Sequence, residues 1–386
     1  MSTTDTATQT GVDRAIDAAL AENRLVGGVV MVNRGGERVY ERAAGLADRE
    51  RGVPFQTDTI VRYASVTKPF VSVAALRLID RGEIGLDDPV TTWLPAFRPK
   101  LPDGTEPTIL IRHLLTHTSG LGYRYAQPAG GPYDQADISD GLDLPGRSLD
   151  DNLARIAAQS LLAAPGTAFI YSVSTDVLGA ILQIVTGQTL PDVVRTLVTE
   201  PLGIRDTGFE VTDVDRLATP YVNDTPVPHP LAENEMVSSP DWGDAAGVRF
   251  SPSRIFDPTS FPSGGAGMAG TAEGTMTLLE AIRRDAQDGE ARLLARDTAR
   301  ALFTGQIGGL EVQPGVTFSF TGAVVADPTQ AGTPQSVGTL SWGGVYGHSW
   351  FIDPERELVV LILTNTIYEG MSGQLPVDVR DALYGS

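Results

Sequence analysis

The chain has 386 residues, 41% hydrophobic and 20% charged, with no cysteine and a formal net charge of −19. That length supports one large or two modest domains around a sizeable core, and the missing cysteines exclude disulfides, thiolate catalysis and cysteine-bound metals. The acidic balance is spread along the chain and repels phosphate backbones and anionic membranes, so neither nucleic acid nor a membrane is expected as a partner.

Met1 to Gly11 is polar and lacks a basic stretch followed by apolar residues, and no apolar run reaches the ~18 residues of a membrane span. A cytoplasmic protein is therefore expected. Val12, Ile16, Ala19 and Leu20 recur at helical spacing and predict an N-terminal amphipathic helix. Gly28 to Asn33, Arg34-Gly35-Gly36 and Glu37 to Ala43 read as strand, turn and strand. Thr59 to Ala64 leads into Ser65, and a long apolar helical pattern runs on to Ile79, with Gly82 at its end. Pro69 falls near the start of that helix, where a missing N–H costs least.

From about Asp88 to Gly208 the pattern is mostly helices and loops. Ile111 to His117 reads as a short helix, and Leu178, Ile181, Leu182 and Val185 as a longer one closed by Gly187. Residues 210 to 265 are rich in Pro, Asp and Ser without periodicity, and read as long ordered loops bordering a pocket. A helix over Ala272 to Asp285 follows. Thr339 to Val345, His348 to Asp353 and Glu357 to Asn365 then form an antiparallel meander. Strands at both ends with helices between them predict one antiparallel sheet flanked by helices, an α/β fold of the α+β type. The expected division is 1–88 with 209–386 as the sheet domain and 89–208 as a mostly helical domain, with the active site at their interface.

Three short segments carry chemistry. In Ser65-Val66-Thr67-Lys68 the serine and lysine are three apart and share a helix face. A serine hydroxyl needs a base before it attacks, and a lysine amine shielded from water can serve. Tyr171, ahead of the Leu178 helix, is placed to shuttle a proton to a leaving alcohol. In Trp342-Gly343-Gly344-Val345 the glycines let a substrate lie against backbone, whose N–H, with that of Ser65, can form an oxyanion hole.

Together these segments resemble the S-x-x-K, Y-x-N and K-T-G motifs of class C β-lactamases and low-molecular-weight penicillin-binding proteins. Ile111 to Leu121, Glu200 to Ile204 and Ser263 to Met268 resemble further segments of that superfamily, so the likeness covers nearly the whole chain. Trp342 to Phe351 is most similar to the third motif of the family VIII carboxylesterases, in their EstB-type branch. The resemblance implies the serine β-lactamase fold, an acyl-enzyme at Ser65, and Lys68 and Tyr171 as its base system. It also implies an oxyanion hole from the Ser65 and Val345 amides, and a pocket lined by Tyr123, Trp342, Gly343 and Gly344. No metal or cofactor is implied, and the expected partner of this monomer or homodimer is a small-molecule ester.

Two departures bear on substrate. Val173 stands where the second motif ends in Asn, and Trp342 where the third begins with Lys. Losing a charge-assisted contact in a partly buried site costs ~1.5–3 kcal/mol, one to two decades in binding. An aromatic residue favours uncharged apolar groups instead. The expected activity is hydrolysis of small neutral esters with short acyl chains; alternatives are an acyltransferase, amidase or weak β-lactamase, or a non-catalytic penicillin-recognising protein. Gly347-His348-Ser349 imitates a nucleophile elbow but lies between strands and lacks the final glycine. His113 and His117 lack the glutamate of a zinc-protease helix, so both read as structural hydrogen-bonders. Gly265 to Gly270 spells G-x-G-x-x-G without a preceding strand and reads as a turn.

Overall fold

A computed structural model describes residues 3–211, 213–238, 244–287 and 292–385. Among them eight strands form one sheet: β1 (Gly27–Arg34), β2 (Glu37–Asp48), β3 (Val53–Pro54), β4 (Val316–Phe318), β5 (Ala323–Val325), β6 (Leu340–Gly344), β7 (His348–Asp353) and β8 (Leu358–Thr364). Their order is β4-β5-β6-β7-β8-β1-β2-β3, antiparallel throughout. The N-terminal hairpin thus joins the free edge of the C-terminal meander, with Gly28 opposite Thr364 and Arg34 opposite Leu358.

Alternation along the strands feeds two cores. Val30, Val32, Phe351, Val360 and Ile362 face the terminal helices Thr3–Ala21 and Gln374–Tyr384, meeting Val12, Ile16, Leu375 and Val379. Val29, Met31, Trp350, Ile352, Val359 and Leu361 face the larger core with Met276, Leu279 and Ile282 of the Ala272–Gln287 helix. Successive side chains on a strand point to opposite faces, so a strand buried on both sides reads as an apolar run.

The Thr67–Asp80 helix is buried from Thr67 through Leu76. A helix apolar all round belongs in an interior, and this one packs on the Ser174–Thr186 helix. The fold class is as the sequence predicts: an antiparallel sheet with helices on both faces and a helical region between its N- and C-terminal strands.

Two details differ. The Ile111 helix ends at Leu115, and His117 turns into the left-handed region at φ 54. The expected extension to His117 is therefore two residues too long. The loops expected over 210–265 contain short strands, Tyr221–Val222 with His229–Pro230 and Glu235–Val237 with Val248–Phe250. Strands of two or three residues are too brief to print an alternation. Residues 212 and 239–243 of that stretch lie outside the described residues. Its later part, Ser251 to Pro262, borders a cavity of about 1240 Å³ that does not include Ser65, Lys68 or Tyr171 in its lining.

Candidate active site

Ser65 owes its position to a strained step in the backbone. The Val61–Arg62 strand pairs with Ala269–Gly270, and the Tyr63 N–H donates to the Met268 carbonyl at 2.8 Å. Ala64 then adopts φ 46, a conformation that costs a residue with a side chain free energy and that recurs at functional sites. The chain turns through a 3₁₀ segment, Ala64–Val66, before the helix begins at Thr67. Ser65 therefore precedes the helix proper. Its amide lies at the leading end of this segment, where a helix's first N–H groups lack an intrahelical carbonyl partner.

Two groups converge on the Ser65 hydroxyl. The Tyr171 OH donates to Oγ at 2.7 Å, and the Lys68 Nζ donates to it at 3.2 Å. Lys68 is 3% exposed and gives a second hydrogen bond to the Gly265 carbonyl at 2.8 Å. Its ammonium also lies 4.6 Å from the Tyr171 ring centroid and 5.3 Å from that of Tyr123. The indole N–H of Trp342 donates to the Tyr171 oxygen at 3.1 Å. Serine, tyrosine, lysine and tryptophan, drawn from three separated stretches, thus share one hydrogen-bonded group.

Aromatic rings set the shape around it. Tyr123 stacks on Tyr125 at 4.8 Å, and Tyr171 lies 5.2 Å from Tyr123 and 5.0 Å from Trp342. Phe318 closes edge-on against Trp342 at 5.2 Å. The Tyr123 segment is held by Asp140, whose carboxylate accepts the Arg124 and Tyr125 amides at 2.8 and 3.0 Å. Burial pushes the Tyr123 phenol well above its ordinary range. Beneath Tyr171 lies His117, 4.7 Å ring to ring, whose Nδ1 accepts from the Ser172 amide at 3.3 Å. Burial first, and then the Lys68 charge, hold His117 well below the usual imidazole range, so it is neutral. Val173 is buried in the core at the N-terminus of the Ser174–Thr186 helix and offers the cleft no polar group.

The glycines of β6 have a steric reason. A Cβ on Gly344 would lie 2.4 Å from the Tyr63 carbonyl oxygen, so only glycine lets this strand press against the Ser65 turn. Trp342 and Gly344 pair with Trp350 and His348 of β7, and Val345 follows directly after the strand. β6 thereby packs on the Ala64–Val66 segment, and Val345 joins Ala64 in one buried cluster beside it.

Sequence reasoning missed two contributors. The Gly265 carbonyl, in a stretch read only as a family segment and a glycine turn, receives the lysine. Asp176, 1% exposed in the first turn of the Ser174–Thr186 helix, accepts from Ser263 Oγ at 2.7 Å and from the Gly265 amide at 3.1 Å. A lone acid in the apolar run from Val173 to Leu182 was the available signal. The decoys resolve into structure. His113 Nδ1 accepts the Leu110 amide at 3.2 Å, and Ser349 lies within β7. Gly265 to Gly270 forms the turn behind Lys68 and the short strand that pairs with Val61–Arg62.

Comparison with known proteins places this geometry. The sequence profile described as Beta-lactamase matches residues 12–382. The chain is 52% identical over 373 residues to Esterase EstB of Burkholderia gladioli, covering 97% of this chain and 94% of that one. The solved structure of "EstCE1, a hydrolase with promiscuous acyltransferase activity" superposes over all of both chains with a TM-score of 0.94 and 44% identity. Simvastatin synthase (LovD) from Aspergillus terreus, at 23% identity, shares the fold with a TM-score of 0.75 over 97% of each chain.

Proposed function

The chain belongs to the Beta-lactamase family, and from that premise we propose that it is a serine carboxylesterase of the EstB type, acting on small neutral esters through an acyl-enzyme at Ser65. The observation that carries this reading is the convergence of Tyr171 and Lys68 on one serine oxygen, at 2.7 and 3.2 Å.

In acylation, Ser65 Oγ attacks the ester carbonyl carbon while its proton passes to the Tyr171 oxygen, which acts as a phenolate base beside the Lys68 ammonium. The carbonyl oxygen gains negative charge and is met by the Ser65 and Val345 amides, donors that need no rearrangement as that charge develops. The C–O bond then breaks, and the pair returns the proton to the departing alcohol. In deacylation a water attacks the acyl carbon, its proton passes by the same pair to Ser65 Oγ, and the carboxylic acid leaves. Tyr123, Trp342, Gly343 and Gly344 line the approach. Trp342 supplies an apolar face and a neutral N–H where β-lactam-directed relatives carry a cation, which favours neutral esters over anionic β-lactams.

A second reading on the same site is acyl transfer to an alcohol. The rings of Tyr123, Tyr125, Tyr171, Trp342 and Phe318 favour an apolar acceptor over water at the acyl-enzyme, and the EstCE1 structure, at 44% identity, is described as having such activity.

The experiment is turnover of p-nitrophenyl acetate and butyrate beside nitrocefin, for the native protein and Ser65→Ala. Ester turnover well above nitrocefin turnover is expected, with a fall of at least ~10³-fold in the variant. Faster nitrocefin turnover would refute the substrate assignment, and full activity in Ser65→Ala the mechanism. Intact mass after a fluorophosphonate probe separates an enzyme from a binding protein: one adduct, absent in Ser65→Ala, is expected.

A further inference from the structure

We propose that Asp176 is a positioning residue for Lys68: its buried carboxylate fixes the Gly265 peptide and balances the ammonium, so that the amine stays aimed at Ser65. This rests on the serine-esterase reading above and extends it by one residue.

Lys68 gives hydrogen bonds to Ser65 Oγ at 3.2 Å and to the Gly265 carbonyl at 2.8 Å. The Gly265 amide in turn donates to Asp176 Oδ1 at 3.1 Å, and Ser263 Oγ donates to the same oxygen at 2.7 Å. One carboxylate thus grips the peptide whose other end holds the catalytic amine.

The second oxygen, Oδ2, is buried and has no hydrogen-bond partner among the described residues. Such a group is costly, and its retention calls for an explanation. The surroundings supply one. A Cβ built on Gly265 would stand 3.0 Å from the Tyr123 OH, 3.5 Å from Lys68 Nζ and 3.6 Å from Asp176 Oδ2. The phenol, the ammonium and the carboxylate oxygen therefore surround the bare α-carbon of Gly265. The two groups form no direct ion pair, but burial raises the Asp176 carboxyl and the Lys68 charge acts against that shift, so each offsets part of the other's desolvation and removing one leaves the other less compensated. His117, which also feels the Lys68 charge, is held neutral by burial and cannot take over. A side chain at 265 would fill the space between them, which gives this glycine a reason beyond its turn.

Asp176→Asn keeps the shape and an acceptor for Ser263 and Gly265 but removes the charge. The readout is kcat/KM, which reports acylation, on two butyrate esters that differ only in the alcohol. Ethyl butyrate needs its alkoxide protonated on departure; p-nitrophenyl butyrate does not. A mispositioned lysine should cost about thirtyfold or more on the ethyl ester and about fivefold or less on the nitrophenyl ester. Equal losses on both, with active sites titrated by fluorophosphonate, would mean a merely structural role and overturn the proposal, as would unchanged kinetics on both. If Asp176→Asn does not fold, Ser263→Ala decides: it loosens the same carboxylate, so the same sign of split, about threefold or more, is expected, and equal rates refute. Ser65→Ala, run alongside, keeps the two claims apart. Turnover surviving there sinks the serine reading, whereas a dead Ser65→Ala with a wild-type-like Asp176→Asn sinks this proposal alone.

Discussion

Trp342 stands where the K-T-G motif that its segment resembles begins with lysine, and its contacts go beyond those of a bare apolar lining. Its N–H reaches the Tyr171 oxygen at 3.1 Å, beside the 2.7 Å bond from that tyrosine to Ser65. A neutral donor there steadies the phenol and the negative charge its oxygen carries when it serves as a base, without placing a cation in the cleft. Trp342→Phe retains the ring and loses the donor. One such hydrogen bond is worth about 1–1.5 kcal/mol, so kcat/KM for p-nitrophenyl butyrate should fall about tenfold, with KM little changed. A rise in KM with constant kcat would assign the residue to substrate packing alone. At this scale Ser65 and Lys68 are legible, because both lie within one tetrapeptide whose spacing is local. Asp176 is not, since nothing in Tyr171-Ser172-Val173-Ser174-Thr175-Asp176 tells that the acid points at a peptide 89 positions away.

Among elements, β6 decides whether the site assembles. The proposed oxyanion hole needs it close to the Ser65 turn, and Gly344 sets that approach. In Gly344→Ala the new Cβ would meet the Tyr63 carbonyl at 2.4 Å, closer than side-chain carbons are found, so strand and turn must part. Losing one donor of an oxyanion hole costs about a hundredfold or more, and kcat/KM should fall by that much together with a lower Tm. Near-native activity in this variant would show that the approach of β6 does not place the Val345 amide as a donor. The long strands and helices were readable because each repeats a period over six residues or more. The paired segments between Tyr221 and Phe250 were not, because two- and three-residue strands exist only through their partners.

For the whole molecule, one side chain links the last strands to the nucleophile's lead-in. His348 Nε2 donates to the Arg62 carbonyl at 2.8 Å across 286 positions, and its Nδ1 accepts the Thr364 amide at 3.2 Å. Burial holds this imidazole down, to about 4. Between its ordinary 6.5 and about 4, the unfolded chain takes up a proton that the folded chain refuses, so stability falls as pH drops through that window. At pH 5 the loss amounts to about 2 kcal/mol from this group. His348→Gln has no such titration, so its stability deficit against the native protein should narrow by that amount between pH 7.5 and pH 5, measured by urea unfolding. A deficit independent of pH would mean that the ring is not kept neutral.

By itself the sequence determined the class of fold and singled out Ser65, Lys68, Tyr171 and Trp342, since these follow from periodicity, from three-residue spacing and from the likeness of three short segments to known motifs. Only the tertiary structure decided which peptide carbonyl and which buried acid stand behind Lys68 and that the phenol, the amine and the indole share one hydrogen-bonded group. Those contacts join segments about 90 to 200 residues apart. Their geometry comes from the packing of the N-terminal hairpin against the C-terminal meander and of the central helices beneath, which no local stretch of chain encodes.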